Sequence, residues 1–502
     1  MHKITSKFAK LRAKDGGAST LDPVNESSFY RFRKQRGVNL GSWFVLERWI
    51  TDGPFGQASP PAKSDLDVAR GQNARVVLEK HYDTWITDAD WTWISDRGFN
   101  TVRIPIGYYH LCGADPSVLL GTDFADLGHV FSGVWARVIQ AIEAAQRFGL
   151  GVLLDLHAAP GKQNEDAHSG TSNPAAFFRD RRHQQHTVHV LRILVSRLKA
   201  HTPPLLNVVG IELLNEPHPI SDTELKGWYS TVIKELGTLD ATLPIYISDS
   251  WKTEDYAEYI KSITPHSSIL VLDHHLYRCF TASDIFTKAP AHARALTDKG
   301  AHTPRMFARV SEMLDTAGAG LVVGEWSGAL NPGSLTGSPD DTKNFVAAQL
   351  LVYEAHCAGY FFWTYKKHGA HPDRGWCLRD AVEGGIFPHM VGLCASRSAD
   401  GDHERQARVR DPFKGQHTAY WAKFPGKYHH ARFAEGFVLG WDDAYAFLTA
   451  SSHLAVSELG FVGAWARTRT ADHGPSFWEF LHGFKQGVAA AKSDFDENYC
   501  SE

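Results

Sequence analysis

Cysteine is sparse and scattered in this chain. Its six cysteines (Cys112, Cys279, Cys357, Cys377, Cys394 and Cys500) are spread over 502 residues without a Cys-x-x-Cys pair. That spacing excludes a disulfide scaffold and a cysteine zinc ribbon, and it fits the free thiols of an intracellular protein. Long apolar runs are missing as well. No stretch reaches the roughly 18 to 20 residues that a membrane helix needs, so no transmembrane segment is expected. The opening "MHKITSKFAKLRAK" lacks the apolar core of a secretory signal. It is basic and free of acids, with Ile4, Phe8 and Leu11 at helical spacing, which is the outline of a mitochondrial targeting segment. The plainer expectation is a flexible basic tail over residues 1–30 and a cytoplasmic protein.

A dominant charge of one sign is absent too. The formal net charge is −4 and the pI is about 6.7, so no electrostatic feature points to nucleic acid or an anionic membrane as partner. Neither G-x-G-x-x-G nor G-x-x-x-x-G-K-[ST] occurs; "APGKQN" has only the Gly-Lys of a phosphate loop. Serine hydrolysis lacks its G-x-S-x-G elbow, for which "HSG" at 168–170 is no substitute. His183, His186 and His189 recur every third residue, a step that drifts around a helix, and no cysteine or acid accompanies them. No metal and no organic cofactor are expected.

What is present is alternation. Eight short apolar runs are separated by segments of helical periodicity. They are "RGVNLG" (36–41), "FNTVRIPIG" (99–107), "LGVLLDLH" (150–157), "NVVGIELLNE" (207–216), "LPIYISDSW" (243–251), "SILVLDHHLY" (268–277), "GLVVGEWS" (320–327) and "GYFFWTYK" (359–366). "SDTELKGWYSTVIKELG" (221–237) opens with Ser-x-x-Glu, the pattern of a capping box. Eight strands alternating with helices predict an α/β fold, a (β/α)8 TIM barrel, over residues 31–415. Residues 367–414 read as a long loop after the eighth strand. Residues 416–495 read as the last barrel helix and accessory C-terminal helices.

Such barrels place their chemistry at the C-terminal ends of the strands. Nearly every run here ends in a titratable or hydrogen-bonding residue: Arg103, Asp155 and His157, Asn215 and Glu216, Asp249 and Trp251, His274, His275 and Tyr277, Glu325 and Trp326, Trp363 and Tyr365. Trp43 and Glu47 follow the first run. Glu216 and Glu325, on the fourth and seventh strands, face each other across the mouth. Two opposed carboxylates among aromatic rings are the layout for cutting a glycosidic bond. One protonates a poor leaving oxygen, while the other meets the developing positive charge at the anomeric carbon. Trp363 and Trp376 would stack on a sugar ring, and Arg103, His275 and Tyr277 would orient and tune the carboxylates.

The motifs "RGVNLGSWFVLERWIT", "VRIPIGYY", "LDLHAAPGKQN", "LLNEP", "LDHHLY", "GEWS" and "FFWTYK", in this order, resemble glycoside hydrolase family 5 and its fungal exo-β-1,3-glucanase branch. The resemblance runs from about residue 36 to 376; the aromatic helices beyond 415 are similar to an intracellular fungal subgroup. It implies a retaining double displacement, with Glu216 as acid/base and Glu325 as nucleophile. It also implies that Asn215 holds the sugar 2-hydroxyl and that Arg103 and Tyr277 bond near the nucleophile. His157 and His275 would line the cleavage subsite over a floor of Trp363, and Glu47 would bind the non-reducing end. One departure stands out. Where the secreted glucanases present a phenylalanine and an asparagine to the next sugar, this chain has Asp166 and His168, with Phe280 opposite.

The expected activity is therefore retaining hydrolysis of β-glucosidic bonds in a β-glucoside or oligosaccharide, by a monomer. The alternatives are a glucosidase for a glucosylated lipid or other small intracellular β-glucoside, a transglycosylase, and a non-catalytic carbohydrate-binding barrel.

Overall fold

The computed structural model describes residues 24–264, 268–395, 403–450 and 456–500. Eight strands, β1 (Gln35–Asn39), β2 (Thr101–Gly107), β3 (Gly151–Ala158), β4 (Val208–Glu212), β5 (Ile245–Ser248), β6 (Leu270–Arg278), β7 (Gly320–Leu330) and β8 (Gly359–Phe362), close in sequence order into one barrel. All neighbours are parallel, and β8 returns to β1 with Gln35 opposite Gly359. Each predicted run overlaps one of these strands, with β1, β3, β6 and β7 extending one to three residues beyond it. The apolar residues of β2 go outward: Val102, Ile104 and Ile106 belong to the core shared with the surrounding helices. Arg103, between them, turns into the barrel, where it bonds Glu212 and Glu325. The helix Asp222–Leu239 starts where the capping pattern places it, Ser221 accepting from the Glu224 N–H. The return half of the box is replaced, because the Glu224 carboxylate accepts from Gln184 Nε2 at 2.8 Å instead.

The lower end of the barrel is closed by the chain's own two ends. Leu153, Val209, Tyr246, Val271, Val322 and Phe361 form an inward layer near the strand N-termini. Against it pack Phe29 and Tyr30 of a helix at Glu26–Phe32, and Phe447, Phe461, Trp465, Phe480 and Phe484 from the C-terminal helices. The predicted tail boundary at residue 30 therefore moves back, since residues 26–30 are helical with Phe29 and Tyr30 buried; residues 1–23 lie outside the described residues.

The reading of 367–414 as loop is also corrected. Leu378–Glu383 is a helix that buries Leu378 and Ala381. His403–Trp421 is a second helix, so the boundary placed at 416 falls inside it; residues 396–402 lie outside the described residues. Helices His430–Ala450 and Phe477–Tyr499 then pack at backbone contact. A methyl on Gly436 or Gly440 would lie 2.1 or 2.2 Å from the carbonyl oxygens of Phe480 or Phe484. Among the described residues no helix is long and apolar enough to cross a membrane.

A buried ion cluster ties this floor to the barrel. Arg36 forks onto Glu354 at 2.7 and 2.9 Å and also bonds Glu458, which Lys492 reaches from the last helix. Burial alone would raise the Glu458 carboxyl, but Arg36, Lys492 and Lys34 together hold it at about 2. A depressed carboxylate stabilises the fold above its unfolded pKa, and that contribution disappears as pH falls through the folded value. Glu458→Gln should therefore cost about 3 kcal/mol at pH 7, because Arg36 loses a buried partner. In urea unfolding, the gap between the two proteins should narrow as pH drops from about 4.5 towards 2. An unchanged midpoint at pH 7 would show that the cluster contributes no stability.

Candidate active site

Parallel strands bring all C-terminal ends to one mouth, and the chain just past β4 is bent there to aim a side chain. After the apolar Leu213 and Leu214 come Asn215 and Glu216, and Glu216 has φ of 43°. This left-handed conformation is costly for a non-glycine residue. It is held by Gln163 Nε2 donating to the Asn215 carbonyl (3.0 Å) and Asn164 Nδ2 donating to the Glu216 carbonyl (2.9 Å). Pro217 follows, preventing the strand from continuing.

Glu216 and Glu325 converge on His275. The His275 Nδ1 lies 2.8 Å from Glu216 Oε1 and 3.6 Å from Glu325 Oε2. One oxygen of each carboxylate and the imidazole nitrogen all lie within 4.8 Å of one another. Glu325 is fixed from both sides, by Arg103 Nη1 on Oε1 (2.9 Å) and by the Tyr277 hydroxyl on Oε2 (2.8 Å). Burial by itself would raise Glu216, yet the hydrogen bond and charge of His275, with His168 and His157, hold it at about 2. Burial would lower His275, but the charges of Glu325 and Asp273, with the hydrogen bond to Glu216, raise it well above the usual imidazole range. Between Glu216 and His275 the proton thus rests on the imidazole.

Below the mouth Arg103 is a fully buried hub. Its guanidinium reaches Glu212 (2.8 Å), Asn215 Oδ1 (2.8 Å), Asn39 Oδ1 (3.0 Å) and Asp155 (3.1 Å) besides Glu325. One cation cannot neutralise so many acids. Burial consequently raises Asp155 to about 7 against the pull of Arg103 and His275, and raises Glu212 well above the carboxylate range. Glu212 interrupts an apolar run at an inward position, the one sequence sign that this network exists. Arg103 donates to the Asn215 side-chain Oδ1, which leaves Asn215 Nδ2 buried without a hydrogen-bond partner among the described residues. That donor is available to a substrate hydroxyl.

The walls are aromatic. Trp363 is buried with its ring parallel to His157, centroids 5.7 Å apart and 2° between planes. His157 Nδ1 is 2.6 Å from Asp155, and burial, then the His168 charge, keep its pKa low. Trp376 meets Tyr277 at 5.4 Å, Phe280 at 5.9 Å and Trp49 at 5.4 Å. Trp49 was missed by sequence reasoning, although it stands two residues after Glu47; its Nε1 donates to Glu47 Oε2 at 2.7 Å. Burial pushes the Glu47 carboxyl up to about 7, opposed by His168 and the Trp49 bond. All ten predicted site residues thus gather at one mouth. His168 comes to it as well, 3.8 Å from both Glu216 Oε2 and Asp166 Oδ2, while the Asp166 side chain is 60% exposed. His186 and His189 are instead occupied by the Val118 carbonyl and the Ser117 hydroxyl, at 2.8 and 2.7 Å.

The chain is similar to known proteins over nearly all its length. Residues 68–369 match the cellulase family (glycosyl hydrolase family 5), and residues 402–495 match the glucan 1,3-beta-glucosidase 3 C-terminal domain. Glucan 1,3-beta-glucosidase 3 of Schizosaccharomyces pombe is 31% identical over 478 residues, 92% of this chain and 95% of its own. A probable glucan 1,3-beta-glucosidase A of Aspergillus fumigatus is 30% identical, over 70% of this chain and 87% of its own. Among solved structures, rutinosidase from Aspergillus niger superposes with a TM-score of 0.57 at 20% identity, over 71% of this chain and 99% of its own, which shows the shared fold. With the barrel, the paired glutamates and these matches in agreement, the chain belongs to glycoside hydrolase family 5.

Proposed function

We propose that the protein is a retaining β-glucosidase-type hydrolase that removes glucose from β-glucosides by double displacement. The observation that carries this reading is the convergence of the two glutamates on one imidazole nitrogen, at 2.8 and 3.6 Å, which supports the closer of two known carboxyl spacings. Retaining glycosidases hold their carboxyl groups about 5 to 5.5 Å apart, whereas inverting ones leave about 6.5 to 9.5 Å for a water. In the first step Glu325 forms a bond to the anomeric carbon as the glycosidic C–O bond breaks, and Glu216 delivers a proton to the leaving oxygen. Glu216 is ionised at rest, so its proton comes from His275 across their 2.8 Å contact. Bond formation consumes the Glu325 charge that supports the imidazolium, and the proton is released as the leaving group needs it. In the second step Glu216 takes a proton from water, the hydroxide frees the sugar with net retention, and the proton returns to His275. Arg103 and Tyr277 orient Glu325, Asn215 Nδ2 donates to the 2-hydroxyl, Trp363 forms the floor, and Glu47 with Trp49 caps the non-reducing end.

On the leaving-group side, the polar pair Asp166 and His168 stands beside Glu216, and Phe280, 71% exposed, forms an aromatic lip against Trp376. This supports a small β-glucoside with a polar aglycone over a stacked glucan chain. The double substitution Asp166→Phe with His168→Asn should raise kcat/KM for a β-1,3-linked glucose disaccharide, relative to nitrophenyl β-glucoside, by about tenfold, the worth of one aromatic contact. An unchanged ratio would remove this loop from leaving-group selection.

The reading as a whole is tested by incubation with 2-deoxy-2-fluoro-β-glucosyl fluoride, followed by intact mass and peptide mapping. One adduct on Glu325 is expected. A folded protein that stays unlabelled, or is labelled elsewhere, contradicts the mechanism, and labelling by the mannosyl probe alone would reassign the sugar.

A further inference from the structure

The C-terminal helices carry a second convergence of titratable side chains, remote from the mouth and unused by the chemistry above. His417 comes from the end of helix His403–Trp421, His430 opens helix His430–Ala450, and Glu479 lies in the first turn of helix Phe477–Tyr499. Glu479 is fully buried and His417 nearly so. The two Glu479 oxygens have different surroundings. Oε1 accepts from the His429 backbone N–H at 2.5 Å. Oε2 faces two imidazole nitrogens at once, His417 Nε2 at 3.1 Å and His430 Nδ1 at 3.3 Å, and all three atoms lie within 4.8 Å of one another.

We propose that His417, His430 and Glu479 form a binding site for a divalent transition metal, with zinc the best fit, which braces the helical floor of the barrel. A tetrahedral zinc with bonds of about 2.0 to 2.1 Å sets its ligand atoms about 3.3 Å apart. Both separations from Oε2 match that spacing. His430 Nδ1 is buried and makes no hydrogen bond among the described residues despite this approach, whereas a cation in the centre would meet all three atoms. Two imidazoles and a carboxylate are a donor set of the borderline hardness that zinc takes, and three protein ligands leave a fourth position. That position is left to water; His482, three residues after Glu479 on the same helix, has its ring 5.3 Å from that of His417 and stands just outside the cluster. His417 and His482 also line a cavity of about 240 Å³, together with Gln416, Trp421 and Gln486, which gives the ion a path. Phe433, stacked on His417 at 4.3 Å, fixes the imidazole orientation. A metal here would join the three helices at the end opposite their Arg405–Asp494 ion pair, and binding only to the folded state would stabilise it.

The test uses the full-length protein after chelator treatment and desalting. Zinc titration with elemental analysis should give one tightly retained ion per chain and a raised Tm. Cobalt(II) should give the intense visible bands of a tetrahedral site. His430→Gln, whose imidazole is partly exposed, and Glu479→Gln should each weaken binding by about 10- to 100-fold or more, while His430→Gln keeps wild-type hydrolysis of nitrophenyl β-glucoside as proof of folding. No stoichiometric ion at micromolar zinc would overturn the site. So would unaltered binding by a folded His430→Gln, because the ion would then sit on other histidines, such as those at 183, 186 and 189. Failure of the glucosidase reading would leave these outcomes unchanged, since none depends on which sugar is cleaved.

Discussion

Glu325→Ala should lower kcat on nitrophenyl β-glucoside by on the order of 10⁵-fold while sugar binding survives. A good leaving group does not soften this loss, because the missing element is the atom that forms the bond to the anomeric carbon. The rest of the site should stay in place. Arg103 keeps Glu212, Asn215 and Asp155 as partners when its Glu325 contact is removed. Tyr277 loses its acceptor but retains its ring contacts with Trp376 and Phe280. The decisive readout is rescue. Azide occupies the space vacated by the side chain and attacks from the same face, so the product is the α-glucosyl azide, recognisable by NMR. A variant that keeps about one hundredth of wild-type turnover without an added nucleophile, or that yields the β-azide, would remove Glu325 from the nucleophilic role.

Glu216→Ala should show a different pattern, set by the leaving group. For an alkyl or sugar leaving group, which departs only when protonated, the loss should be about 10³- to 10⁴-fold, near the upper range for general acid catalysis. For dinitrophenyl β-glucoside, whose phenolate leaves unaided, the first step should be nearly unaffected and a glycosyl-enzyme should accumulate. Azide then opens that intermediate from the face once held by Glu216 and gives the β-glucosyl azide. The pH profile adds an independent check. Wild-type kcat/KM should fall at high pH as the Glu216–His275 pair loses its shared proton, and that limb should vanish in the variant. An equal loss for both leaving groups would mean that Glu216 positions substrate rather than transferring a proton.

Much of this was legible in the sequence, and for a definite reason. A strand of a closed parallel barrel is covered on both faces, so it reads as a short apolar run, and all eight runs proved to be strands. Because the active face lies where the strands stop, the first polar residues after each run belong to the mouth. Glu216, His275, Tyr277, Glu325 and Trp363 were found on that basis without any contact information. Local signals failed where burial comes from distant segments. The helix at His403–Trp421 has polar composition and carries Pro412, so nothing nearby in the sequence distinguishes it from a loop. The short helix at Glu26–Phe32 buries Phe29 and Tyr30 only because the C-terminal helices arrive against the same layer of barrel residues. Trp49 joins the site through a hydrogen bond to Glu47 that no spacing rule specifies.

The sequence by itself determined the strand order, the mouth and the placement of Glu216 and Glu325 at it, since these follow from periodicity and from where apolar runs end. Only the tertiary structure decided which groups own the protons. The resting states of Glu216, His275, Asp155 and Glu212 depend on burial and on charges brought within a few ångströms from different strands. Those distances are set by barrel closure. The same holds for His417, His430 and Glu479, which become neighbours only when three helices fold over the strand N-termini. Electrostatic coupling falls off over ångströms, not along the chain, so it is written in the fold alone.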